Sequence, residues 1–339
     1  MISHRPAPVR DRFLNSCADV LLHNTIQMEG ESLPSIGGAS EGQWPKRARA
    51  AICLTLDNMG EAADLTRKLW PETSPIGKHY SVTRAIPTIL MLLKKYDIPV
   101  TYFIETWNID LYGDFILEEI VSAGHEMAWH AWRHEPWAKL KNEEEERANF
   151  ERSFGPDGIG QWLTKGLIEP YSGFRPPGGI INGDATLNLC REFGLSYLSP
   201  AATEAAMIDV GSSGDHLVIL PFKWATVDAY YYMQSFAGLR KMKGEYPEAP
   251  QSPEVLVTRF KSEIDKAVET GGFLSILFHP FLTDQDDRLD ALESVLQYLS
   301  QKRADGDVWL ARCKDVERFI RDHPERVGND PQWDYSSWS

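Results

Sequence analysis

The chain has 339 residues, 42% of them apolar, which is enough for a substantial core in one large domain or two ordinary ones. A formal charge of −14 argues against a general nucleic-acid or anionic-membrane surface, because holding phosphates requires neutralising them. No segment approaches the roughly 18 uninterrupted apolar residues of a membrane helix, and Met1 to Arg10 lead into no apolar signal core. The mature protein is therefore expected to begin near Met1 and to be cytoplasmic.

Residues 1–45 are rich in Pro, Ser and Gly and weakly periodic, apart from an amphipathic stretch from Arg12 to Leu22. They are expected to form an N-terminal arm that packs on the main body or on a partner, which leaves room for a homo-oligomer. A main domain is expected over 46–325 and a C-terminal tail over 326–339. Cys17, Cys53, Cys190 and Cys313 lie far apart with no Cys-x-x-Cys pair and read as reduced thiols.

From residue 50 onward, short β-rich runs alternate with segments of helical period, the pattern of a parallel sheet or barrel wrapped by helices. Strands are predicted over Ala50 to Asp57, Pro99 to Glu105, His125 to His130, Leu195 to Ser199, Leu217 to Pro221, Phe273 to His279 and Asp307 to Leu310. Helices are predicted over Thr83 to Tyr96, Asp114 to Ala123, Ala185 to Phe193, Glu254 to Thr270 and Asp287 to Lys302; in the first, apolar residues at 86, 89, 90 and 93 make one buried face. The acidic run Glu143 to Glu146 reads as a solvated helix face. Asp57, Glu105, His130 and His279 all fall at strand ends. A parallel barrel collects reactive residues there, so an α/β barrel of about seven parallel strands is favoured over an open sheet.

Four motifs carry chemistry. Asp57 closes the apolar run Ala51 to Leu56, where a carboxylate can ligate a metal, act as a general base or simply cap a turn; Asn58 and Glu61 follow it. His130 and His134, four residues apart, can converge on one metal ion. Phe174-Arg175-Pro176-Pro177-Gly178-Gly179 is a stiff loop in which Arg175 can pair with a catalytic carboxylate, or which is only a proline-rich turn. His279, ending Ser275 to Phe278, can exchange protons near neutral pH or be structural. Asp228 can set the charge or tautomer of His279. The neighbouring Trp224, Tyr230 and Tyr231, with Trp107, Trp129 and Trp132 elsewhere, can wall a pocket or fill the core.

In order, Leu-Thr-Leu-Asp57-Asn58, His130-x-x-x-His134, Arg175-Pro-Pro-Gly-Gly and Leu-Phe-His279-Pro resemble the polysaccharide deacetylase family of NodB-homology hydrolases over roughly residues 50 to 320. Trp224-Ala-Thr-Val-Asp228 and His279-Pro-Phe look most like its intracellular, allantoinase-like and peptidoglycan-deacetylase-like branch. The resemblance implies a distorted (β/α) barrel, a divalent metal, usually zinc, and hydrolysis of a non-peptide C–N amide bond. It implies His130 and His134 as metal ligands, Asp57 as base, Arg175 as its orienting partner and His279 as general acid. The chain departs from the family where two successive aspartates are usual and Asp57-Asn58 stands. A carboxamide is a poorer ligand than a carboxylate, so either metal affinity falls or Asp57 takes the metal and Glu61 becomes the candidate base. The expected substrate is a small cyclic amide, ureide or modified metabolite bound near Trp224, Tyr230, Tyr231, Glu61 and Pro177. The rival readings are an N-acetyl sugar or polysaccharide deacetylase and a catalytically inactive ligand-binding barrel.

Overall fold

The computed structural model describes residues 42–336 apart from 72, 212 and 213. The arm predicted over 1–45, with its amphipathic stretch and Cys17, lies almost wholly outside the described residues. Nine strands form one sheet: β1 (Ala50–Asp57), β2 (Val100–Ile104), β3 (Glu126–Trp129), β4 (Gly173–Phe174), β5 (Tyr197–Leu198), β6 (Ala206–Val210), β7 (Asp215–Ile219), β8 (Phe273–Phe278) and β9 (Val308–Leu310). Their order is β6-β7-β5-β4-β3-β2-β1-β8, with β9 also on β1. Every pairing is parallel except β6 with β7. The sheet curls into a half-barrel, the distorted (β/α) barrel expected from the motifs.

β1 shows why the two faces differ. Alternate side chains of a strand point to opposite faces. Ile52, Leu54 and Leu56 belong to the large core beneath the outer helices, whereas Ala51 and Cys53 join Phe103, Ala128, Tyr197 and Leu220 in an inner cluster. Both sets are buried, so β1 reads as a nearly continuous apolar run. Going up its inner face from Ala51 to Asp57, the lumen changes from apolar to polar. A helix over Cys313–Asp322 sends Val316 and Ile320 into the inner cluster. Its first amides reach the lumen, that of Cys313 donating to Thr101 Oγ1 at 2.8 Å and that of Lys314 to Glu126 Oε2 at 2.9 Å.

Outer helices cover the sheet where the periodicity placed them. Ile86–Tyr96 buries Ile86, Ile89 and Leu93, opens with a proline in its first turn and ends at Asp97 in the left-handed conformation. Pro253–Thr270 stops at Gly271, whose φ of 74° suits a residue without Cβ. Gly173 has a different need: a Cβ there would meet the Tyr197 ring at 1.9 Å, so only glycine lets that ring fill the lumen.

Two strands escape the sequence pattern. β4 has only two residues, and β6 is a partly exposed antiparallel edge. The helix over Cys313–Asp322 was also not predicted. The segment assigned to a tail is attached to the sheet's edge, with Gly328 bridged to Ala206 and Trp333 to Ala202. Cys53, Cys190 and Cys313 are buried free thiols. Among the described residues no helix is long and apolar enough to cross a membrane.

Candidate active site

At the C-terminal mouth of the half-barrel, Asp57 ends β1 and Arg175 follows β4. The backbone amide of Arg175 donates to Trp129 O at 3.0 Å, which aims its side chain into the lumen. Its Nη1 donates to Asp57 Oδ1 at 2.7 Å and Thr55 Oγ1 at 2.9 Å, Nε and Nη2 donate to Ser199 Oγ, and Nη2 also reaches Ser275 Oγ at 3.1 Å. The guanidinium lies 4.0 Å from the Phe103 ring centroid. Both members of the pair are buried. An ion pair this far from water depends on such full hydrogen bonding, and the three hydroxyls supply it.

Across the mouth stands a second pair. Asp228, wholly buried, accepts from His279 Nδ1 at 2.5 Å and from the His279 backbone amide at 2.7 Å. A carboxylate can only accept, so Nδ1 carries a proton and Nε2 is left to the cavity. The segments bearing these residues are tied by a parallel bridge between Val227 and Leu277.

His130 and His134 meet with ring centroids 5.0 Å apart. His130 Nδ1 donates to the Arg175 carbonyl at 2.7 Å, leaving the Nε2 lone pair facing Asp57 Oδ2 at 3.9 Å. Burial, only partly offset by Asp57, pushes His130 down to about 4, and burial together with Arg67 holds His134 well below its ordinary value. Asn58, Ala131 and His134 have φ of 63°, 66° and 63°, so three residues of this mouth hold a left-handed backbone.

The zinc implied by the resemblance can be tested against these donors. His130 is preset as a ligand. Asp57 is already engaged by Arg175, and Asn58 Nδ2 donates to Glu105 Oε1 at 2.7 Å. The Arg67 guanidinium lies against His134, Nη2 being 3.4 Å from Nδ1 and 3.5 Å from Nε2. Among the described residues no group of three His, Cys, Asp or Glu side chains is placed to hold a metal ion. The donor set does not fit a tightly held divalent ion.

Asn58 serves instead in a buried network on Glu105, which also accepts from the Met59 amide at 3.0 Å and from Asn108 Nδ2 at 3.1 Å. Burial raises the Glu105 carboxyl to about 7. Glu61, the alternative base, is fully buried and accepts from Tyr112 OH and the Gly77 amide, both at 2.5 Å. It supports the loop rather than facing the cavity.

The cavity has a volume of about 50 Å³ and is lined by Asp57, Asn58, His130, His134, Arg175 and His279, with an apolar wall that includes Phe222, Trp224, Phe236 and Phe281. Trp224 is thus where the aromatic motif suggested. Tyr230, Tyr231 and Pro177 do not line it: Tyr231 donates to Ala225 O, Tyr230 packs edge-on against Tyr231, and the Pro177 carbonyl accepts from Trp137 N. Trp129 is core, packed on Phe150 and Phe174, and Trp132 lies beneath Arg152. Arg67 lines the cavity too. Nothing in its sequence neighbourhood distinguished it from an ordinary surface arginine.

Comparison with known proteins agrees with this geometry. Residues 48–198 match the model of the polysaccharide deacetylase family. No curated protein sequence matches significantly. A putative polysaccharide deacetylase from Mycobacterium smegmatis is 23% identical with a TM-score of 0.68, covering 88% of this chain and 99% of its own. Puue allantoinase is 20% identical with a TM-score of 0.63, covering 85% and 95%. A probable polysaccharide deacetylase from Pseudomonas aeruginosa PAO1 is 19% identical with a TM-score of 0.63, covering 83% and 94%. At these identities the structural likenesses establish the fold, while the family match covers Asp57, both histidines and Arg175 but stops short of Asp228 and His279. Residues 48–198 match the polysaccharide deacetylase family, and the chain as a whole has the fold of these structures.

Proposed function

We propose that the protein hydrolyses a non-peptide amide bond in a small substrate bound at this cavity. The observation that carries the reading is the pair of dyads at one mouth, Arg175–Asp57 and Asp228–His279. Arg175 holds and aims Asp57, so that Asp57 can take a proton from water as the water oxygen bonds to the substrate carbonyl carbon. His279, held by Asp228 through Nδ1, gives a proton from Nε2 to the departing nitrogen as the C–N bond breaks. His130, neutral and fixed by the Arg175 carbonyl, offers Nε2 as an acceptor that helps orient the water. No step is routed through a metal.

A narrow, partly aromatic cavity supports a small substrate over a polymer. The likeness to Puue allantoinase adds ureides to the cyclic amides and N-acyl metabolites worth testing. An N-acetyl sugar deacetylase would use the same acid and base. The test is a turnover panel of cyclic amides, ureides and N-acetyl sugars, run with the unaltered protein and with Asp57→Asn. Turnover of a small amide that is lost in Asp57→Asn supports the reading. Turnover of N-acetyl sugar oligomers alone supports the deacetylase, and no turnover at all supports a barrel that only binds.

A further inference from the structure

The residues that should hold a divalent cation do not form a ligand set, yet the same place contains a fixed positive charge. Arg67 follows the short helix Ala62–Thr66, immediately after the Asp57-Asn58 turn, and its guanidinium enters the cavity lined by Asp57, His130 and His279. Nη2 stands almost equally far, 3.4 Å and 3.5 Å, from the two ring nitrogens of His134. These separations are long for hydrogen bonds, and their near equality places the guanidinium over the face of the imidazole. We propose that the Arg67 guanidinium takes the place of a divalent metal as the cation of this site, donating N–H groups to the substrate carbonyl oxygen as it becomes an oxyanion.

Two observations support this independently. A metal bound to His134 would sit about 2.1 Å from a ring nitrogen, and hence within roughly 6 Å of Nη2. At that separation a divalent ion and the guanidinium repel one another, with Asp64 and Glu105 also acting on Arg67. The second is Asn58. A carboxylate there would favour a metal, whereas the carboxamide is neutral and its Nδ2 donates to Glu105. Both changes point the same way: a ligand charge is missing and a cation has been added.

Chemically the exchange is workable. A guanidinium remains protonated throughout, offers a planar fork of N–H donors, and stabilises charge that develops on oxygen in a site shielded from water. It supplies no lone-pair acid and cannot lower the pKa of a water as a metal does. Deprotonation of the attacking water therefore falls entirely on Asp57, whose carboxylate Arg175 holds in place. The inference rests on the reading of this cavity as the reaction site, but its test does not require turnover.

The experiment is zinc titration by calorimetry on the full chain, for the unaltered protein, Asn58→Asp, Arg67→Ala with Asn58→Asp, and Arg67→Lys with Asn58→Asp. The unaltered protein should show no saturable binding at micromolar zinc. Removing Arg67 in the Asn58→Asp background should tighten zinc binding at least about 100-fold over Asn58→Asp alone, while Arg67→Lys, which keeps the charge, should not. Zinc held near one equivalent by the unaltered protein and lost in His134→Ala overturns the proposal. So does an Arg67→Ala, Asn58→Asp protein that binds no more tightly than Asn58→Asp. The titration of the unaltered protein decides the matter even if a variant fails to fold. Failure of the amide panel, by contrast, would count against the hydrolytic reading and leave the zinc result standing.

Discussion

Arg175 and Asp57 form a buried pair in which every guanidinium nitrogen is committed, one to the carboxylate and to Thr55 and the others to Ser199 and Ser275. Lysine offers a single point charge and cannot satisfy those acceptors together. Arg175→Lys should lower kcat about 100-fold, the usual effect of misplacing a reacting group by about an ångström, with KM little changed. Arg175→Ala should also cost about 3–5 kcal/mol of stability by leaving Asp57 buried and unpaired. Steady-state kinetics and urea denaturation check the two effects separately.

His279 and Asp228 are expected to act on the leaving nitrogen. His279→Ala should slow amides with poor leaving groups about 10²- to 10⁴-fold and those with good leaving groups much less. Asp228→Asn should show the same dependence, since it removes the negative charge beside Nδ1. A series of anilides of graded leaving-group basicity reads this out, and equal losses across the series would remove His279 from the acid role.

Glu105 gives a pH signature. Its carboxyl is raised to about 7 by burial, whereas an unfolded chain has it near 4.3. Between those values the folded state binds more protons, so this contribution to stability is complete below the lower value and is lost as pH rises through the higher one. The difference corresponds to roughly 4 kcal/mol in all, about 3 of it between pH 5 and pH 8. Glu105→Gln should make stability fall less between pH 5 and pH 8 than it does in the unaltered protein, by about that amount. Urea midpoints at the two pH values test it, and parallel profiles would show that Glu105 is already ionised in the fold.

Trp224 closes the cavity beside Phe222 and Phe236, with ring centroids 5.2 Å and 5.7 Å away. Trp224→Ala should cost about 3–5 kcal/mol and shift the ratio of kcat/KM values toward bulkier amides. Competition between a small and a bulky amide measures the shift. An unchanged ratio would mean that the substrate does not meet this wall.

The sequence was most legible where one force dominates. β1 and β8 are apolar on both faces because both faces are buried, so their limits and their terminal Asp57 and His279 can be read directly from the residues. β4 could not be found this way. Two residues carry no periodicity, and what makes it a strand is the room that Gly173 leaves for Tyr197, a contact between segments. The pairings of Arg175 with Asp57 and of His279 with Asp228 follow roles that the motifs suggested. The burial of Tyr230, Tyr231 and Glu61 away from the cavity does not, since an aromatic or acidic residue looks the same in sequence whether it faces a ligand or a neighbour. Arg67 is the sharpest case. Its importance comes from the turn that brings it over His134, and local composition contains no trace of that.

The two dyads draw on different stretches of the chain. Asp57 and Arg175 lie within residues 48–198, and Asp228 and His279 lie beyond them. In the proposed reaction the residues that activate the attacking water are thus encoded separately from those that release the nitrogen. Substitutions after residue 198 can retune which leaving groups are accepted while the attacking half stays as it is. Descendants of such a protein could diversify in substrate by varying one half of the gene, and a chimera joining residues 1–198 of this chain to the later half of a relative would inherit its general base from one parent and its leaving-group preference from the other.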